Sequence, residues 1–353
     1  MILTIGIPVL NGSPHILNTL KSILRELDLI DEQIELLIVD NKSEDNTVEI
    51  LTDFYNSYSE VPNLNIEIKY NNQNFGLDSS INYLIASSTG DYIWLLGAQE
   101  VLHFGSLRRL IHELKKKPWQ IVVNSTMWDE ASNREIQSNL YGRLYGKYSD
   151  LSFDNPEDFF SSIGGPCLSL SANISRVEPL RRSLSSVAKS RYWGWLEYWM
   201  DATVAKERVG DFVFISKPMI QILVEAKGWQ ATDIDTSGSK SISNAQTIYF
   251  TFVELTEIAK IKFETQLVIR NSIGAYRDHF GVPRAIAMAK ATGLPANRTV
   301  ISRSIKVFGF TPWFWIVGLP ILLTPRFLLS NKVLGFFRKV IHLFRVLLRA
   351  PAK

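Results

Sequence analysis

Four polar clusters, each placed directly after an apolar run, hold the residues of this chain best suited to chemistry. They are Asn11-Gly12-Ser13-Pro14, the run from Asp40 to Thr47, the run from Asn71 to Gly76, and Gly97-Ala98-Gln99-Glu100. The ends of buried strands, where polar groups gather, are where many α/β proteins hold a ligand's phosphates. A second acidic feature, Glu197 and Asp201, sits in the aromatic stretch Tyr192 to Asp201, and four residues apart on a helix the two share one face. Other chemistries are not expected. The five histidines (His15, His103, His112, His279, His342) are scattered and the single Cys167 has no partner, which argues against a zinc site and an intrachain disulfide. No G-x-G-x-x-G follows the first strand, and neither a Walker A loop nor a G-x-S-x-G elbow is present.

The elements that must position these clusters alternate. Apolar strands are expected over Ile2–Leu10, Ile34–Val39, Leu64–Tyr70 and Tyr92–Leu96, separated by helices over Ile16–Leu27, Thr47–Tyr58 and the segment carrying Asn82. Strands alternating with helices need right-handed crossovers and a largely parallel sheet, so all four clusters fall on the carboxyl edge of that sheet. A helix over Ser106–Lys115 and strands over Gln120–Asn124, Asp211–Ile215 and Met219–Val224 follow, and from about Ser241 to Thr292 the pattern is helical.

Four motifs in order, IGIPVLN at 5–11, LLIVDNKSEDNT at 36–47, NNQNFGLDSSIN at 71–82 and STGDYIWLLGAQEVL at 88–102, resemble those of family 2 glycosyltransferases of the GT-A fold. The resemblance is good over residues 1–115 and looser to about 225. It implies an α/β, Rossmann-like, mostly parallel sheet flanked by helices, with a helical C-terminal extension. It also implies transfer of a sugar, with inversion, from a nucleoside-diphosphate donor to a glycan acceptor in cell-surface polysaccharide synthesis. By the same resemblance Pro8 and Asn11 border the nucleotide, Asp40 reads the base with Asn41 beside it, Asn74 and Gly76 approach the nucleotide-sugar, and Asn82 braces their turn. The Gly164–Ser169 run would line the donor sugar.

The fourth motif departs from the family. Relatives end this strand in two or three aspartates that hold Mn²⁺ or Mg²⁺ against the donor diphosphate, whereas this chain offers Ala98, Gln99 and Glu100. Three readings follow: weak metal binding through Glu100 with Gln99, a cationic group in place of the metal, or a noncatalytic member that binds nucleotide-sugar or acts as a scaffold. A catalytic member needs a base for the acceptor hydroxyl, and Glu197 and Asp201 are the candidates.

Charge is distributed unevenly. Residues 1–278 hold 26 Lys and Arg against 35 Asp and Glu, while residues 279–353 hold twelve Lys and Arg and no acid. That tail carries nineteen uncharged residues from Val307 to Pro325, interrupted by Pro312, Pro320 and Pro325, and then a basic amphipathic pattern through Leu348. Such a segment is expected to lie on an anionic membrane surface rather than cross it. No nucleic-acid module is present. The organisation expected is a domain over 1–225 (nucleotide-sugar half 1–115, acceptor half 116–225), a helical extension over 226–305 and a membrane-associating tail over 306–353. The acceptor would then be lipid-linked, and the protein peripheral or monotopic on the cytoplasmic face of the cell membrane.

Overall fold

The computed structural model describes residues 1–129, 133–137, 149–163, 169–184, 194–203, 205, 208–224, 286, 296–309 and 314–325. Four parallel strands form its first half: β1 (Leu3–Val9), β2 (Ile34–Asp40), β3 (Leu64–Tyr70) and β4 (Tyr92–Leu95), joined by α1 (Ile16–Leu27), α2 (Thr47–Tyr58) and α3 (Leu77–Ser87). All seven residues of β2 are buried, as the continuous apolar run of a strand covered on both faces requires. Pro8 is tolerated because Gly6 is the last β1 residue paired with β4, so no partner strand lies opposite the amide that Pro8 lacks.

The second half contains β5 (Glu100–Leu102), α4 (Ser106–Leu114), β6 (Gln120–Asp129), β7 (Arg134–Gln137), β8 (Leu151–Phe153) and α5 (Pro156–Ile163). It continues with a 3₁₀ turn (Leu170–Ala172), β9 (Asn173–Arg176), α6 (Val177–Leu184), α7 (Gly194–Thr203) and β10 (Phe212–Val224). The strand order is β3-β2-β1-β4-β9-β6-β10-β5, with β7 beside β6 and β8 beside β10. The parallel pairing expected from sequence holds across β3-β2-β1-β4 and again between β6 and β10. The four-residue β9 enters antiparallel between β4 and β6, which makes the whole sheet mixed. Because two antiparallel steps restore the original direction, β6 and β10 end on the same edge as β1 to β4.

Two buried carboxylates act as fasteners. Glu26 accepts hydrogen bonds from the amides of Gly105 and Leu107, both at 3.0 Å, and so caps α4, which lacks a capping side chain of its own. Glu35 accepts from the Thr89 amide and hydroxyl and from the Thr4 hydroxyl, fixing the turn that feeds β4. Both oxygens of each buried acid thereby have hydrogen-bond partners, as buried polar groups require.

Near the C-terminus, α8 (Arg298–Phe308) is capped by Asn297, whose side chain accepts from the Val300 amide at 2.9 Å. A π-helical turn over Phe314–Gly318 leads into α9 (Leu319–Leu323). No helix among the described residues is long and apolar enough to cross a membrane. Apart from the single helical, buried residue Ile286, the helical pattern expected over 241–292 lies outside the described residues, as does the basic amphipathic stretch after Arg326.

Candidate functional site

The first two tips interlock through side chains. Three successive amides, of Asn11, Gly12 and Ser13, donate to Ser43 Oγ (2.8 Å), Thr47 Oγ1 (2.8 Å) and Asp45 Oδ2 (3.1 Å). Asn11 returns the bond, its Oδ1 accepting from the Glu44 amide at 2.8 Å. Only glycine fits at position 12, where an added Cβ would stand 2.5 Å from Val9 Cγ2. Asn11 thus fastens one tip to the next. Ser43, Asp45 and Thr47, which the sequence marked only as part of the run from Asp40 to Thr47, supply the acceptors, and their Ser/Asp/Thr composition was the available signal.

Asp40 ends β2 with 1% of its surface exposed. Its Oδ2 accepts from the Ser43 amide at 3.1 Å, and its Oδ1 is buried with no partner. A buried acceptor without a donor is costly, and no described residue satisfies this oxygen. Asn41 beside it is a hub: its Nδ2 donates to Asn74 Oδ1 at 2.6 Å, while its Oδ1 accepts from Asn71 Nδ2 and the Phe75 amide, both at 3.0 Å. Asn74 Oδ1 also accepts from the Gly76 amide at 2.8 Å, and Gly76 has the left-handed φ of 84° that starts α3. The brace of the 71–76 turn is therefore Asn41. Asn82 does not supply it, because its Oδ1 is buried and unpartnered.

Beyond β4, residues 97–100 form a turn closed by the Glu100 amide donating to the Gly97 carbonyl at 3.1 Å. Glu100 points inward. Its Oε2 accepts from the Gly97 amide at 2.7 Å and its Oε1 from the Ser171 hydroxyl at 2.7 Å. Burial pushes its carboxyl above the ordinary range, against the opposing pull of those two hydrogen bonds. The residue expected as a metal ligand thus spends both oxygens on the protein. Gln99 is exposed beside it, and no three Asp, Glu, His or Cys side chains among the described residues are grouped to hold a metal. Among the described residues, the donor set at this corner does not fit a carboxylate-held divalent cation, because its one acid is buried and faces away.

Of the base candidates, both lie on α7. Trp195 at its start donates a long 3.4 Å bond from its amide to Asp78 Oδ1, at the carboxyl edge. Thr203 at its end donates to Gln120 Oε1 at the opposite, amino-terminal end of β6. Glu197 is in the near half. Asp201, two residues before Thr203, lies toward the far edge. The Glu197 side chain and residues 164–168 of the expected sugar-lining run lie outside the described residues. A cleft of about 510 Å³ opens between α1 and the carboxyl ends of β6 and β10, with Lys21, Arg25 and Trp128 in its walls. It adjoins the turn through Leu223, which lines it and donates its amide to the Gln99 carbonyl.

With this geometry in hand, comparison with known proteins decides the family. The model of glycosyl transferase family 2 matches residues 4–165. These residues form a family 2 glycosyl transferase domain. An abequosyltransferase of Salmonella typhimurium, RfbV, is 30% identical over 107 residues, which are 30% of this chain and 31% of that one. The match therefore spans about a third of the relative's length. Among solved structures, S. aureus TarS 1-349 superposes with a TM-score of 0.55 at 12% identity, covering 90% of this chain and 92% of that one. The same protein in complex with UDP-GlcNAc gives 0.54 at 14%, over 90% and 92%. The mannosyltransferase PcManGT of Pyrobaculum calidifontis, in complex with GDP-Man and Mn²⁺, gives 0.50 at 13% over 91% and 84%. At these identities the superpositions establish the GT-A fold, and the family 2 domain rests on the sequence match.

Proposed function

We propose that the chain is a glycosyltransferase that moves one sugar, with inversion, from a nucleoside-diphosphate donor to a glycan acceptor in polysaccharide synthesis. The observation that carries this is the set of polar tips on one sheet edge of a family 2 domain, centred on the orphaned Asp40 oxygen. A nucleotide base presents N–H groups that would satisfy Asp40 Oδ1, and the turn from Asn74 to Gly76 lies on the same edge, within reach of the rest of the donor. The abequosyltransferase relative supports the assignment to polysaccharide synthesis.

In this reading Glu197 takes the proton from the acceptor hydroxyl as its oxygen bonds to the anomeric carbon. The bond from that carbon to the diphosphate breaks on the opposite side, and the nucleoside diphosphate leaves. The acceptor enters from the cleft beside Gln99, where Trp128 offers a stacking face and Lys21 and Arg25 offer positive charge. A lipid-linked acceptor on the cytoplasmic face of the membrane fits the basic tail and the exposed Trp315 and Ile316.

The test is release of nucleoside diphosphate from UDP-, GDP-, CDP- and dTDP-sugars, together with calorimetric binding of the same nucleotides. Asp40→Ala should weaken nucleotide binding about tenfold or more, the worth of one charged hydrogen bond. Glu197→Gln should abolish turnover and leave binding intact. A noncatalytic nucleotide-sugar binder is the second reading, favoured by the inward-facing Glu100. Binding without turnover of any of the four donors, with glycan acceptors supplied, would select it.

A further inference from the structure

The turn at 97–100 has all three of its free carbonyls occupied. Gly97 O accepts from the Glu100 amide at 3.1 Å, Ala98 O from Thr19 Oγ1 at 2.9 Å, and Gln99 O from the Leu223 amide at 3.1 Å. The Gly97 amide is taken by Glu100 Oε2. The amides of Ala98 and Gln99 are left, and neither makes a hydrogen bond to any described residue. Ala98 is half-buried and Gln99 exposed, so the unpaired pair sits at the surface of the carboxyl edge. Successive backbone N–H groups free of acceptors form an anion-binding concavity.

Beneath the turn, two bonds of Ser171 fix it in place: its hydroxyl donates to Glu100 Oε1 at 2.7 Å, and its carbonyl accepts from the indole N–H of Trp94 on β4 at 2.8 Å. An added Cβ at Gly97 would stand 3.2 Å from Glu100 Cδ, so the carboxyl lies directly against the turn. Sequence places an Ala and a Gln where a metal cage would put carboxylates, and the fold has turned the remaining acid into a strut.

We infer that the donor diphosphate is bound at this corner by the Ala98 and Gln99 amides without a carboxylate-held divalent cation, and that Glu100 is a positioning residue that holds the turn from below. The inference rests on the proposed donor site and specifies how that site treats phosphate.

The experiment uses the full chain and the probes UDP, GDP, CDP and dTDP, each with its parent nucleoside, titrated calorimetrically in EDTA and in Mn²⁺. For whichever nucleotide binds, the affinity in EDTA should be within about twofold of that in Mn²⁺. Tightening of tenfold or more in Mn²⁺, abolished by Glu100→Gln, would overturn the inference while leaving the donor site standing. Ala98→Pro deletes one amide at the second position of a turn, which proline suits. It should weaken the diphosphate roughly tenfold, as loss of one charge-assisted hydrogen bond does, and leave the parent nucleoside unchanged. Equal diphosphate affinity in a folded Ala98→Pro chain would refute the amide site. The comparison of EDTA with Mn²⁺ needs no variant, so a chain that fails to fold does not protect the idea. No binding of any nucleotide in either buffer would instead sink the donor reading, and this inference with it.

Discussion

Asp45 shows how much of the carboxyl edge depends on a single carboxylate that ties one strand tip to the next. Burial works to raise its pKa, but hydrogen bonds from Thr47 and Ser13 outweigh that and hold it below the ordinary value. A depressed carboxyl pKa means that the unfolded chain binds more protons in the window between the two values. Its stabilising effect is therefore complete above the ordinary Asp range and is lost as pH falls through the depressed value. Asp45→Asn should be less stable than the natural chain at neutral pH, and the gap should close on acidification. Urea unfolding of both proteins at a series of pH values measures this, and a gap constant from pH 7 to 3 would refute it. Glu100 runs with the opposite sign, since a raised folded pKa makes its contribution decline as pH rises out of the ordinary carboxylate range.

At the scale of elements, the carboxyl edge is a chain of tips tied to one another: the β1 tip to the β2 tip through Ser43, Asp45 and Thr47, and the β2 tip to the β3 tip through Asn41. Asn41→Ala leaves Asn74 Oδ1 with one donor fewer and strips the Phe75 amide and Asn71 of their acceptor. At about 1 kcal/mol per net hydrogen bond, the loss should be roughly 2–3 kcal/mol, read as a lower urea midpoint. Asn82→Ala should cost much less, because its oxygen already lacks a partner. Equal losses for the two would contradict the assignment of the brace. These ties also mark what the sequence disclosed. The alternation of strands and helices and the placing of polar clusters on one edge were legible, because each rests on local periodicity and on the handedness of crossovers. The partners of Asn41 were not, since its bonds join residues thirty or more positions apart. Nor was the inward turn of Glu100, which depends on Ser171 arriving through the 3₁₀ turn before β9. A four-residue strand such as Asn173–Arg176, antiparallel and amid polar neighbours, carries too short a pattern to be read beforehand.

For the molecule as a whole, the uneven charge sets a direction. An acidic body and a tail of twelve basic residues without an acid will orient in any field, and the negative surface of a bilayer supplies one. Within the described part of the tail, Phe314, Ile321 and Leu322 are buried, while Trp315, Ile316 and Leu323 stand about half exposed. The Trp315 indole donates to the Gly309 carbonyl at 2.7 Å, so the ring is held in place although it is exposed. A Trp with its polar edge satisfied and its face exposed, between basic residues, suits the headgroup boundary. The full chain should therefore cosediment with vesicles containing phosphatidylglycerol and not with pure phosphatidylcholine, and raising the salt should weaken binding as screening shortens the reach of the charges. Combined Trp315→Ala, Ile316→Ala and Leu323→Ala should lower vesicle affinity roughly tenfold, from the apolar area withdrawn, with the salt dependence kept because the charges remain. Binding that ignores lipid charge would remove the electrostatic half of this account. Binding untouched by the triple substitution would place the contact elsewhere in the tail.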